Sequence, residues 1–204
     1  MRFYYMVSHA LVSGLRHFSF LMSSLIFTLI FTTGIALLGR AALVLSKAVL
    51  IEQQLADQRV YSEYENDTSG ELICMLSLYK YSCYLLLIAA VVIGLLYFCS
   101  FVTKYYMERK KDLAVQKYLG ATGAAVAGEF TLEVGIPLLA NGFLGILVAR
   151  LIYSAFAYQA SPLLRSYLLK PIYFTSSIDL PLLTVVAAMI VSIFFISRKK
   201  VRSI

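Results

Sequence analysis

Charge is scarce in this 204-residue sequence: only 14% of residues are Asp, Glu, Lys or Arg, while 60% are hydrophobic. An ordinary soluble domain carries about 25% charged residues and roughly 45–50% apolar ones. A soluble fold of this length would have to bury nearly all its side chains, which surface scaling forbids, so the natural solvent is lipid. Cysteine is also sparse. Cys74, Cys83 and Cys99 are odd in number and form no CxxC, which excludes a disulfide framework and a zinc knuckle. They read instead as small, buried apolar residues.

Histidine occurs twice, at His9 and His17, with no HExxH, so neither a membrane metalloprotease nor a serine protease with a His inside a span is encoded. The chain lacks GxxxxGK[ST] and cannot hydrolyse ATP by that route. No DxDxDG calcium pattern accompanies the carboxylates between positions 52 and 71, which suit a solvated acidic face. No metal or cofactor site is expected in this chain. The formal charge of +7 comes from basic residues flanking hydrophobic runs. That places it against an anionic inner leaflet and not against nucleic acid.

Long uncharged runs are what the sequence does have. At ~1.5 Å per residue, about 20 residues cross ~30 Å of hydrocarbon. Three runs satisfy this, at 18–40, 81–103 and 180–197, the last opened by Pro181 where a first-turn proline costs little. A fourth, 132–157, is interrupted by Arg150, which is read as an interface anchor able to snorkel. The first run begins late, is longer than a signal-peptide core and has no small-x-small cleavage site. With the N-terminus inside, the inner segments hold eleven Lys and Arg and the outer ones seven, with clusters at 109–111 and 198–200. Both termini are therefore expected in the cytoplasm.

Residues 1–17 are aromatic and sparsely basic, with apolar residues at near-helical spacing, and predict an interfacial elbow helix. Residues 41–80 predict outward prolongations of the first two spans, meeting as a hairpin near Asp67. Residues 158–179, with Pro162, Pro171 and several tyrosines, predict a short interfacial loop, and 198–204 a cytoplasmic tail. The fold class is an all-α membrane protein of four transmembrane helices.

The inner loop, 104–131, is the most specific stretch. Lys104 and Glu108 stand four apart for an ion pair. Leu113, Val115, Tyr118 and Leu119 offer a stripe to a partner. Gly120 ends the helix and Thr122 caps the next, a short helix that re-enters the membrane. A charged helix, a sharp turn and a short helix joined directly to two spans make a docking shape.

The run ERKKDLAVQKYLGAT, followed by an uncharged helix opening FTLE, resembles the FtsX-like permease family, the MacB, LolC/LolE and FtsX group of ATP-binding-cassette systems. The likeness rests on Glu108 to Val115, Leu119-Gly120-Ala121-Thr122, and Phe130 to Glu133 with Gly142 and Gly145, and covers about 85–155. It implies that 104–131 holds a coupling helix, with Glu108, Arg109, Lys111, Asp112, Lys117, Leu119, Gly120, Ala121 and Thr122 meeting a cytoplasmic ATPase. Two permease subunits and two ATPases would form the unit, with ATP and Mg on the partner chains, in a bacterial cytoplasmic membrane. The chain departs from the family pattern at Gly123-Ala124-Ala125, where basic residues are usual, and in its small outer region.

Within the spans, three polar residues stand out. Glu133 reads equally as a gating carboxylate or as a first-turn acid favoured by the helix dipole. Asn141 reads as a bond to a neighbouring helix or the lining of a path. Gly142 and Gly145 read as sites of close helix packing. The competing function is a four-span scaffold without an ATPase partner.

Overall fold

The computed structural model describes residues 18–60, 68–160, 168 and 172–202. Helix α1 runs Phe18–Val60, α2 Thr68–Tyr118 and α3 Gly123–Gln159. A single turn, α4, at Ile172–Phe174 leads through a π-turn at Thr175–Asp179 into α5, Leu180–Arg202. No strand occurs among the described residues. Four helices are long and apolar enough to cross a membrane, at Leu25–Asp57, Gly70–Tyr118, Gly123–Gln159 and Thr175–Val201. The expected elbow, the hairpin tip and most of the second outer loop lie outside the described residues.

The helices run on past the charges that bounded the sequence-defined spans. The 51 residues of α2 are ~76 Å of helix, more than twice the hydrocarbon thickness. Lys, Glu, Arg and Gln propagate a helix almost as well as Leu, so leaving the apolar segment does not end it. Glu71 in the first turn and Lys117 in the last also complement the helix dipole. The separate short helix expected before the third span is not separate, because α3 is unbroken from Gly123. Pro181 stands in the first turn of α5, as the sequence predicts. It sits just inside α5, lacking an amide hydrogen for the carbonyl four residues back, and the preceding turn widens so that the Leu180 amide donates to the Thr175 carbonyl.

The chain forms two compact units. The first comprises Met1–Thr32, Ile93–Gly145 and Pro181–Ile204. In its core, α2 supplies Phe98, Val102 and Tyr105, α3 supplies Val126, Phe130, Val134 and Leu138, and α5 supplies Val186, Ile193 and Val201. Steps of three or four residues on α2 and α3, and of seven and eight on α5, put each set on one stripe of its helix. Lipid offers no hydrophobic drive between spans, so van der Waals fit and polar bonds must hold them together. Fit is tightest at two glycines. A Cβ at Gly94 would run into the Phe31 ring, and one at Gly135 would stand 3.1 Å from Ile190. Gly142, expected to allow close packing, would place a Cβ at an ordinary 3.6 Å from Val186.

The second unit comprises Thr33–Val92 and Ile146–Leu180. Its interior sets Arg40 and Asp179 among small and aromatic residues that include Ala36, Ala149, Phe174 and Tyr153, with the two rings edge-to-face at 4.8 Å. Gly39 faces Ile178, where an added Cβ would lie at 3.3 Å. Cys74 and Cys99 are exposed and Cys83 is partly so, contrary to the buried role expected of them. In a membrane chain an outward apolar position is as favourable as an inward one, so hydrophobicity alone cannot place a cysteine on either side.

Candidate functional site

The residues on which the sequence reading converged lie in the first unit, where α2 ends and α3 begins. The end of α2 is a Schellman turn. The Ala121 amide donates to the Gln116 carbonyl at 3.1 Å and the Gly120 amide to the Lys117 carbonyl at 3.0 Å. Gly120 has φ +91°, a conformation that costs a side-chain-bearing residue roughly 1–2 kcal/mol. Thr122 then caps α3, its hydroxyl accepting from the Ala125 amide at 3.4 Å and its carbonyl from the Ala125 and Val126 amides. Stop and start signals are thus met within three residues, leaving a tight, hydrogen-bonded bend.

Beside the bend the expected apolar stripe divides. Leu113 is 3% exposed and belongs to the core, whereas Tyr118 and Leu119 are 84% and 82% exposed, with Val115 also outward. Glu108, Lys111, Asp112, Ala121 and Thr122 are exposed too. Two of the predicted contact residues instead bond within the chain. Lys117 donates to the Val201 carbonyl of α5 at 3.2 Å, and buried Arg109 points at α3. Val201 also lies 3.8 Å from where a Gly123 Cβ would be, and the Lys200 ammonium sits over the Tyr106 ring at 5.0 Å. The end of α5 thus braces the bend, a role the sequence reading did not assign.

Below the bend, a polar joint ties α2 to α3. Arg109 donates through Nη2 to Glu133 at 3.2 Å and through Nη1 to Asp112 at 2.6 Å. The Tyr105 hydroxyl donates to the other Glu133 oxygen at 2.5 Å. Nearer the bend, Gln116 Nε2 reaches both Glu129 oxygens at 3.2 Å. Glu133 is therefore not a first-turn acid. It lies three turns into α3, buried, and its charge is balanced by Arg109 and not by the dipole. Pro137, four residues on, also has no amide hydrogen to give the Glu133 carbonyl. The helical pair anticipated at Lys104 and Glu108 is replaced by Arg109–Asp112, three apart. Tyr105 and Glu129 were missed. Their signal is only that a Tyr and a Glu fall on the same helical stripes as Arg109 and Glu133, which the sequence cannot pair without the register of α2 on α3.

Asn141 bonds a neighbouring helix: its Nδ2 donates to the Leu25 carbonyl at 2.9 Å and the Thr28 hydroxyl at 3.3 Å. The Thr32 hydroxyl in turn reaches the Asn141 carbonyl at 3.5 Å. In the second unit Arg150 is more than an interface anchor. It pairs with Asp179 through Nε at 2.9 Å and Nη2 at 2.7 Å. Arg40 takes the other Asp179 oxygen at 2.8 Å. Arg40 and Asp179 were missed as a pair, although Asp179 is the one carboxylate after Glu133 in the sequence.

An all-helical chain with four helices of membrane-crossing length and apolarity defines a multi-pass membrane protein. The FtsX-like permease C-terminal family matches residues 84–201, more than half of the chain, and the chain belongs to that family. No curated protein and no solved structure matches it. It is accordingly a transporter-type permease subunit of the ATP-binding-cassette class, a membrane-embedded chain of a family that works with ABC ATPases.

Proposed function

We propose that the bend at Leu119-Gly120-Ala121-Thr122 docks on a cytoplasmic ABC ATPase and passes its closure into the membrane through α2 and α3. The observation that carries this reading is the pair Tyr118–Leu119, two large apolar side chains held almost fully in the open on a bend fixed by a Schellman turn and a threonine cap. Exposed apolar residues on a rigid support cost little ordering entropy on binding, which is what an anchor into a partner's groove requires. Glu108, Lys111 and Asp112 flank them as a charged rim. The Arg109–Glu133 joint and the Lys117–Val201 brace would make the bend, α2, α3 and α5 move as one body. ATP and Mg belong to the ATPase, and this chain acts as a transducer and not as an enzyme. The reading includes a second permease subunit, a bacterial cytoplasmic membrane, and both termini on the ATPase side.

Because Lys117 and Arg109 bond within the chain, substituting them would confuse docking with folding. Tyr118→Asp with Leu119→Asp alters the exposed anchor alone. Co-expressed with the ABC ATPase of the same organism, the double variant is expected to insert normally, keep its melting temperature and lose ATPase co-elution. Undiminished co-elution would refute the dock.

A further inference from the structure

The second unit holds a charge imbalance that the docking reading does not use. Two guanidiniums, Arg40 and Arg150, share Asp179, the one carboxylate with which either pairs among the described residues. Arg40 is 1% exposed and lies over the Phe174 ring at 5.6 Å, yet its Nε and Nη1 are buried without a hydrogen-bond partner. A buried guanidinium with idle donors is costly, and the cluster as a whole keeps one uncompensated positive charge.

The unpaired charge has one way out. The Arg150 side chain is 41% exposed, its Nη2 also donates to the Thr175 hydroxyl at 2.8 Å, and Thr175, Ser176 and Ser177 are themselves exposed on the π-turn. Arg150 and the Thr175 hydroxyl therefore form a small polar rim, with Ser176 and Ser177 next in the chain. Thr175 is the first residue of the fourth segment long and apolar enough to cross a membrane, so the rim lies at one end of that segment.

We propose that this rim binds the phosphate of an anionic phospholipid headgroup. A phosphate monoester or diester oxygen matches a guanidinium edge bidentately and accepts from neighbouring hydroxyls. Once the phosphate takes Arg150, Asp179 Oδ2 is released from it and can accept from one of the two idle Arg40 donors, making the Arg40–Asp179 pair bidentate. The exchange gives the buried arginine a second bond and brings the charge of the cluster to balance when an anion occupies its outer edge. The site is independent of the bend that docks the ATPase.

The test uses the full chain purified in neutral detergent, with thermal unfolding followed after adding phosphatidylglycerol, phosphatidylcholine or inorganic phosphate. Saturating phosphatidylglycerol is expected to raise the melting temperature by roughly 5 °C, with little change from phosphatidylcholine. Arg150→Gln, at a partly exposed position, should fold and lose most of that increment, while Lys110→Gln and Lys199→Gln, on exposed basic positions elsewhere, should keep it. Arg40→Met should also lose it, since removing the buried cation leaves Arg150 and Asp179 balanced although Arg40 cannot itself touch a lipid. A full increment in Arg150→Gln would overturn the site, and an equal rise with inorganic phosphate would overturn its assignment to lipid.

Discussion

Glu133 and Arg109 show what a charge inside a membrane protein demands. Each would be prohibitively costly alone in a low-dielectric setting, and each is tolerable because the other, with Tyr105, occupies its bonding positions. Removing one partner strands the other, so Glu133→Ala should destabilise the chain by about 3–5 kcal/mol. Converting both together, Arg109→Met with Glu133→Ala, should recover most of the loss, and thermal unfolding of this double variant and of the two single variants Arg109→Met and Glu133→Ala completes the cycle. Strict additivity of the two single changes would show that the contact is not energetically real. At Gly94 the constraint is steric. Gly94→Ala drives a methyl into the Phe31 ring and should cost about 1–3 kcal/mol in unfolding measurements, and Phe31→Ala in the same chain should relieve it.

Among the elements, the bend between α2 and α3 is the one whose shape local chemistry decides. Gly120→Ala forces a Cβ into a left-handed conformation at about 1–2 kcal/mol, and Thr122→Ala removes a cap worth ~1 kcal/mol. Both should speed amide exchange at Gly120, Ala121, Ala125 and Val126, whose hydrogen bonds build the bend, while leaving exchange in the Phe98–Tyr106 segment unchanged. If exchange at these four amides does not change in either variant, the bend is held by something other than its turn and cap. The π-turn before α5 works differently. Pro181 denies the helix one amide, the turn widens, and Asp179 at its end is buried where the two arginines meet it. Without that offset a regular helix would present residue 179 at a different angle.

For the whole molecule the decisive question is which side of the membrane the bend occupies. Eleven of eighteen basic residues fall on the side of the bend and the termini, which predicts a cytosolic location. Cys74, Cys83 and Cys99 sit at exposed or half-exposed positions, so replacing them with serine should change stability by no more than about 0.5 kcal/mol. In that background Ala121→Cys, on an exposed residue, should resist an impermeant maleimide in intact cells and label fully after permeabilisation. Labelling in intact cells would invert the topology and remove the basis for an ATPase contact.

The spans, the stop at Gly120 and the cap at Thr122 were legible from residue order alone, because each answers a local demand. Hydrocarbon requires about 20 apolar residues, a left-handed turn requires glycine, and the first amides of a helix require an acceptor. The family likeness was legible for the same reason, since it is carried by one contiguous stretch around that turn. The partners of Glu133, Asn141, Arg150 and Asp179 were not. Arg40 and Asp179 are 139 positions apart, and whether they meet depends on how far each helix is rotated and how closely it packs. Those angles are settled by contacts such as Phe31 against Gly94 and Ile178 against Gly39, by the amide Pro181 lacks, and by the need of every buried charge for a counter-charge. Local order thus wrote the helices and the bend, and only packing in three dimensions chose which polar groups complete one another.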